Sequence, residues 1–255
     1  EAGNDDDDIY GIAAVYKADA FTGQLSFATK RQKSDGAGNA ADHTMNGYSL
    51  TVIVPIGDMK LSAEGTMFGG DNGSTTDYVG TQFYANLDAK LSDMISAKVG
   101  VVWADGADSN ESQLTSLQHD VQFRPLDFEG ALGADRGLSQ GSTVLANDTQ
   151  GTETGRTQLF EAAVNRGVIG LIGGVKVAAT DAVTFYGKLG YIEPNDNDDT
   201  TSLDSKTFAI ASVDYAWMPA VTVSGGVAYV SPDYSDGSIN DDPVVEWIFR
   251  LGVSF

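Results

Sequence analysis

The last thirteen residues, PVVEWIFRLGVSF from Pro243 to Phe255, alternate in polarity with a period of two. From position 245 the odd positions carry Val, Trp, Phe, Leu, Val and Phe, and the positions between them carry Glu, Ile, Arg, Gly and Ser. Successive side chains of a β-strand point to opposite faces, so this pattern predicts a strand with one apolar and one mostly polar face. The apolar face suits lipid and its interface, while Glu246 and Arg250 face something wet.

The same alternation recurs along the rest of the chain and predicts about eleven strands in total. They lie at 9–17, 22–30, 47–56, 60–68, 79–91, 97–103, 168–177, 183–191, 209–217, 221–229 and 245–255. Short turns and long polar loops alternate between these segments. A soluble sandwich has no reason to place every long loop at one end, so the asymmetry favours an antiparallel barrel of the outer-membrane type.

The predicted fold is therefore an all-β transmembrane antiparallel β-barrel, a single domain over 1–255 with a long inserted loop at 105–166. Aromatic residues near the strand ends of the apolar face fit membrane girdles. These are Tyr16, Trp103, Tyr191, Tyr215, Trp217, Tyr229 and Trp247. Bacterial barrels have even strand numbers, so we expect strands before Glu1 and about 12 to 16 or more in the intact protein. The alternative is a strand overlooked within 105–166.

The C-terminal strand resembles the last strand of Gram-negative outer-membrane barrels, in which the terminal aromatic, here Phe255, belongs to the signal for barrel assembly. The segment FRPLDF at 123–128 is similar to porin-like proteins of sulfate- and metal-reducing bacteria. The resemblance to porins implies an outer-membrane location in contact with the lipid bilayer and lipopolysaccharide. It also implies a homotrimer that passes small hydrophilic solutes.

Composition excludes several classes of protein. The 255 residues are 42% hydrophobic, and no run approaches the roughly 18 apolar residues that a membrane helix needs. A formal charge of −21 with only 15 Lys and Arg argues against a nucleic-acid partner, because phosphate binding needs clustered basic residues. The absence of cysteine excludes disulfides, thiolate catalysis and cysteine metal sites.

The polar faces of the predicted strands carry many charged residues, and these are the candidate pore-lining side chains. They are Lys17, Lys60, Glu64, Asp88, Lys90, Lys98, Lys176, Lys188, Asp214, Glu246 and Arg250. Unpaired charges in a dry core are costly, so this density predicts a hydrated lumen. One interpretation is that the charges pair across the wall and hold the barrel open. The other is a slightly basic pore that favours anionic solutes.

The long segment 105–166 has a candidate role as a constriction loop. Resemblance to porins, whose inward-folded loop narrows the channel between opposed charges, points to its charged residues. The candidates are Arg124, Asp127, Glu129, Asp135, Arg136 and Arg156, together with Glu161 and Arg166. An ordinary surface loop or a subunit contact is the alternative.

Metal binding and catalysis have little support. The acidic runs at 5–8, 195–199 and 240–242 lack the Gly and terminal Glu of an EF-hand loop, so they predict solvated loops, with surface calcium as the alternative. The two histidines, His43 and His119, fall in different predicted outer loops without a nucleophile motif. We therefore expect no enzyme, no catalytic residues and no cofactor.

The function predicted from the sequence is passive diffusion of small hydrophilic solutes through an outer-membrane porin. A rival is a barrel with a plugged lumen that acts as a scaffold or surface-binding protein. A second rival is a barrel enzyme with its site at the outer loops.

Overall fold

A computed structural model describes residues 7–32, 43–71, 77–106, 111–113, 167–195, 203–234 and 241–253. These ranges contain twelve β-strands. Among them, no helix is long and apolar enough to cross a membrane. The strands are β1 (Asp7–Lys17), β2 (Thr22–Gln32), β3 (His43–Ile56), β4 (Met59–Asp71), β5 (Asp77–Lys90), β6 (Ile95–Ala104), β7 (Glu111–Gln113), β8 (Val168–Ala178), β9 (Val183–Glu193), β10 (Leu203–Met218), β11 (Val221–Tyr234) and β12 (Val244–Val253).

Eleven of these strands form one antiparallel meander in the order β1-β2-β3-β4-β5-β6-β8-β9-β10-β11-β12. The predicted antiparallel all-β sheet of about eleven strands is confirmed. The short strand β7 lies off this path and pairs in parallel with Asp77–Val79 at the start of β5. Its three residues fall short of the roughly 9 to 11 that cross a bilayer. β7 is therefore not an overlooked spanning strand.

Five tight turns, at 18–21, 57–58, 91–94, 179–182 and 219–220, all lie at the same end of the sheet. Three of them show the local chemistry that closes a hairpin. Gly57 has a backbone φ of 60°, which residues with a Cβ rarely adopt. Ser92 Oγ accepts the backbone N–H of Ile95 at 3.0 Å, and Thr180 Oγ1 accepts that of Val183 at 3.0 Å. All the longer connections lie at the other end, as predicted.

Several strands extend further toward the long-loop end than the alternation predicts. β3 begins at His43 instead of position 47, β10 begins at Leu203 instead of 209, and β11 ends at Tyr234 instead of 229. Backbone pairing continues through these extensions, as in Lys206↔Ile192 between β10 and β9, with one register shift between Leu203 and Ser205 on β10. The sequence signal fades there because only the part of a strand that meets hydrocarbon must alternate apolar and polar residues.

The two faces of the sheet differ in polarity. The outer face carries exposed apolar side chains on every long strand, and on β12 Trp247, Phe249 and Leu251 are 73%, 83% and 63% exposed. The opposite, inner face carries lysines, hydroxyls and amides together with a smaller apolar group. An exposed apolar band of this extent is unfavourable in water and suits a hydrocarbon solvent.

Candidate functional site

The inner face of β3, β4 and β5 carries a chain of short polar contacts. Thr51 Oγ1 donates to Glu64 Oε2 at 2.7 Å, and Thr66 Oγ1 donates to Glu64 Oε1 at 3.3 Å. Thr51 and Glu64 are direct cross-strand partners, so the pairing register itself sets their contact. Gln82 and Asn86 continue this polar surface on β5. We call the inner faces of β3 to β6 the polar wall.

An acidic residue bridges two lysines in the polar wall. Lys60, Asp88 and Lys98 are successive cross-strand neighbours on β4, β5 and β6. Asp88 Oδ2 lies 3.4 Å from Lys60 Nζ, and Asp88 Oδ1 lies 3.1 Å from Lys98 Nζ. Asn86 Nδ2 also donates to Asp88 Oδ2 at 3.1 Å. The side chains of Lys60, Asp88 and Lys98 are 55%, 26% and 21% exposed, so they remain in contact with water. Each ion pair contributes only about 0 to 1 kcal/mol to stability.

These three residues line a cavity of about 720 Å³ at the tight-turn end of the polar wall. The lining is Gly57, Asp58, Met59, Lys60, Asp88, Ala89, Lys90, Ser96, Ala97, Lys98 and Lys176. Lys176 joins from β8, where it pairs with Ser96, and its Nζ lies 5.9 Å from the ring centroid of Tyr186. The structure thus brings four predicted pore-lining lysines to one cavity.

Lys90 stands at the rim of this cavity. Its Nζ lies 2.7 Å from Asp93 Oδ1 in the tight turn between β5 and β6. The hydrogen bond from Lys90, with the charge of its ammonium, holds the pKa of Asp93 below its ordinary value. Both groups are fully in solvent at the turn, so this pair marks the edge of the wall.

Part of the inner face of β8 to β11 is different, because buried apolar side chains occupy it. Ile172 and Phe208 have no exposed surface, and Ile192 and Val230 are 2% and 3% exposed. A Cβ added at Gly190 would overlap the ring of Phe208, which lies against the glycine backbone across the β9–β10 pair. We call Ile172, Ile192, Phe208 and Val230 the apolar patch.

Two buried lysines border the apolar patch. Lys188 is 7% exposed, and its Nζ lies 5.8 Å from the ring centroid of Phe208, within the range of a cation–π contact. Lys206 is 4% exposed and pairs with Ile192 in the register of β9 and β10. Lys206 was absent from the predicted wall because it precedes the predicted strand. Lys30 was also left out and is 7% exposed on β2. For Lys206 the signal was period-two parity with the predicted strand that follows it, and for Lys30 it was parity within its own predicted strand, 22–30.

The remaining predicted wall residues lie away from the cavity. Lys17 is exposed on the edge strand β1, Asp214 is half-buried on β10 and Arg250 is exposed on β12. Glu246 belongs to β12 and pairs with Ala228, and the described side chains do not include it. The constriction candidates Arg124, Asp127, Glu129, Asp135, Arg136, Arg156, Glu161 and Arg166 lie outside the described residues, and so does Phe255. Their predicted roles stay predictions.

The prediction that His43 is an exposed loop residue is wrong. His43 is the first residue of β3 and is half-buried, and its Nδ1 lies 3.0 Å from the Tyr78 hydroxyl of β5. Strand pairing continues past the apolar band and takes this residue into the sheet. His119 lies outside the described residues.

A metal centre would need several ligating side chains in one place. In the described ranges, no three His, Asp or Glu side chains are grouped so that they could hold an ion. Much of the acidic runs lies outside those ranges, and surface calcium stays a prediction.

Comparison with known proteins places the fold. No protein-family model and no curated protein matches the chain. Among solved structures, the chain is similar to the outer membrane channel DcaP of Acinetobacter baumannii, with a TM-score of 0.55 and 11% sequence identity over 100% of this chain. It spans 65% of the length of DcaP.

Two looser likenesses are to porins. KdgM porin, solved in complex with disordered oligogalacturonate, has a TM-score of 0.37 and 10% identity, covering 98% of this chain and 92% of KdgM. A further porin has a TM-score of 0.44 and 14% identity, covering 95% of this chain and 60% of that porin. The fold agrees with the predicted outer-membrane location. The chain has the antiparallel all-β fold of an outer-membrane channel.

Proposed function

We propose that the chain belongs to an outer-membrane channel through which small hydrophilic solutes diffuse passively, with a preference for anions. The polar wall is the observation that carries this proposal. It presents partly exposed charges on one side of strands whose other side is exposed and apolar. The apolar face of such a sheet is suited to hydrocarbon and the charged face to water, as the wall of an aqueous pore requires.

The anion preference rests on the sign of the inner charges. The described inner positions carry Lys17, Lys30, Lys60, Lys90, Lys98, Lys176, Lys188, Lys206 and Arg250. Acidic residues are fewer at the inner positions of the same strands, which carry Asp7, Glu64, Asp88, Asp214 and Glu246. Fixed positive charge in a narrow aqueous space raises the local concentration of anions. This is the basic-pore interpretation of the sequence, with Asp88 neutralised by two lysines.

The channel needs no chemical step, because charge and width of the lumen decide which solutes pass. We extend the proposal to a homotrimer in the Gram-negative outer membrane that contacts lipopolysaccharide, as the resemblance to porins implies. DcaP, whose fold the chain shares, is named as a channel.

Planar-bilayer conductance tests the proposal. The purified full chain should give ohmic current steps. In a KCl gradient, the reversal potential should have the sign expected when chloride passes more readily than potassium. A reversal potential of the cation sign would contradict the anion preference. An absence of steps from protein that migrates as folded in heat-modifiability gels would contradict the channel itself.

One observation favours the second candidate, a barrel with a plugged lumen. The apolar patch lies on the inner face, yet its side chains have almost no accessible surface. Water does not cover such side chains in an open pore. A folded protein that binds a partner and never conducts would support the scaffold over the channel.

A further inference from the structure

The cavity at the tight-turn end concentrates positive charge in a strongly acidic chain. Lys60, Lys90, Lys98 and Lys176 line it, against the two aspartates Asp58 and Asp88. These are four of the 15 basic residues in a chain whose formal charge is −21. The excess over the lining aspartates is two positive charges, or one when Asp93, which pairs with Lys90 at the rim, is included. Such a local reversal of sign marks the cavity as a place where anions collect.

The contacts of Asp88 indicate how an anion would be held. Each of its carboxylate oxygens meets a different ammonium, Lys60 at 3.4 Å and Lys98 at 3.1 Å. Lysine ammoniums from two strands thus converge on one oxyanion. Lys176 lies on β8, the strand next to that of Lys98. Lys98 pairs with Gly174, which is two residues before Lys176. A solute oxyanion in the cavity would have both Lys98 and Lys176 among the side chains that line it.

We propose that this cavity binds a compact oxyanion with two negative charges, such as sulfate or a phosphate group, and that Asp88 competes with it for the lysines. The inference rests on the proposed channel function, because a solute reaches the inner wall through the lumen.

The shape and chemistry of the site fit a small hydrated ion. A volume of about 720 Å³ is within the range of small-molecule sites and leaves room for water around a compact anion. Lysine ammoniums act as mobile point charges and do not impose the planar geometry of an arginine clamp. Selection should therefore depend on charge more than on shape. Sulfate and phosphate should compete with each other, and chloride should compete weakly.

Equilibrium dialysis of radiolabelled sulfate against the detergent-solubilised full chain measures this site directly. We expect saturable binding, weakened about tenfold by Lys98→Met or Lys176→Met, since each removes a charged contact. Asp88→Asn should strengthen binding about tenfold, because it removes the competitor and keeps the shape. Unchanged affinity in Asp88→Asn would overturn the proposal, as would affinity that no cavity lysine alters.

Two variants serve as matched controls. Glu64→Gln removes the same charge from the same wall, but Glu64 does not line the cavity. Lys17→Met removes a lysine from the inner face outside the cavity. Both should change sulfate affinity less than twofold at constant ionic strength. If Glu64→Gln matched Asp88→Asn, a general charge effect would replace the local site.

Bilayer recordings of the same preparations separate this inference from the channel proposal. Saturable sulfate binding with the expected order of variants, but without current steps, would sustain the site and refute the channel. Current steps without saturable binding would sustain the channel and refute the site.

Discussion

The polar wall on β3 to β6 and the apolar patch on β8 to β11 occupy the same side of one continuous sheet, yet they need opposite surroundings. Asp88 and Lys98 keep about a quarter and a fifth of their side-chain surface exposed, whereas Phe208 has none. Charged groups need water or partners, and apolar groups need packing. Strand pairing alone therefore does not decide whether an inner face is wet. The side chains at every second position do.

The largest effect should come from Phe208, at the centre of the apolar patch. Phe208→Ala removes a fully buried ring, and such truncations cost about 3 to 5 kcal/mol in well-packed sites. Guanidinium unfolding in detergent would measure the loss. Phe249→Ala on the outer face is the control, since Phe249 is 83% exposed and its loss should cost much less. Equal midpoints for the two variants would mean that the apolar patch is not a packed region.

A smaller effect should follow from Gly190, which lies beneath the Phe208 ring. Gly190→Ala places a Cβ inside that ring, so the ring must move, at a cost of about 1 to 3 kcal/mol. The control is Gly65→Ala on β4, where an added Cβ meets no atom within 4 Å. In a Phe208→Ala background the cost of Gly190→Ala should nearly vanish. A full cost in that background would exclude the ring contact as its cause.

In the polar wall, substitution should change ion selectivity more than stability. Glu64→Gln keeps one oxygen acceptor for one threonine hydroxyl, and its NH2 group can donate to the other hydroxyl, so we expect a loss of about 1 kcal/mol or less. Removal of its negative charge should move the reversal potential in a KCl gradient further toward chloride. Glu193→Gln is the control, because Glu193 does not lie on the inner wall. Its Oε2 accepts a hydrogen bond from the Tyr191 hydroxyl at 2.7 Å. A reversal-potential shift of equal size in Glu193→Gln would mean that the polar wall does not determine the ion selectivity.

The smallest effect belongs to the exposed pair of Lys90 and Asp93 at the rim. Lys90 lowers the pKa of Asp93 below its ordinary value of 3.8. The ion pair therefore stabilises the folded state at pH values above the ordinary pKa. This stabilisation is lost as the pH falls through the lowered pKa of Asp93. Carboxyl-carbon NMR titration should show the low pKa, and Lys90→Met should return it to the ordinary range. A low pKa that persists in Lys90→Met would point to another cause.

Much of the fold was predictable from sequence because a membrane sheet must obey a strict rule over its apolar band. Strands such as 183–191 alternate residue by residue, and turn residues such as Gly57, Ser92 and Thr180 sit where hairpins close. Outside the apolar band the rule lapses. His43 and Lys206 were missed for this reason, since backbone pairing continues where neither face needs to be apolar.

The site was harder to predict than the fold. Alternation assigns Lys60, Asp88, Lys98 and Lys176 to the inner face, but it does not state which of them meet. Their meeting depends on register, which places Asp88 directly between Lys60 and Lys98. The apolar patch was not predicted because its residues break the alternation. Phe208 occupies an inner position where polar residues were expected, and it departs from the pattern used to assign faces.

Register also gives direction to the row of lysines. Lys60, Asp88, Lys98, Gly174 and Lys188 are opposed in turn on five successive strands, so they form one rung perpendicular to the strands. Strands of membrane barrels tilt by about 35 to 45° from the axis, so a rung of this kind climbs as it crosses the sheet. Lys60, Lys98 and Lys188 would therefore stand at successively different heights along the axis of such a barrel.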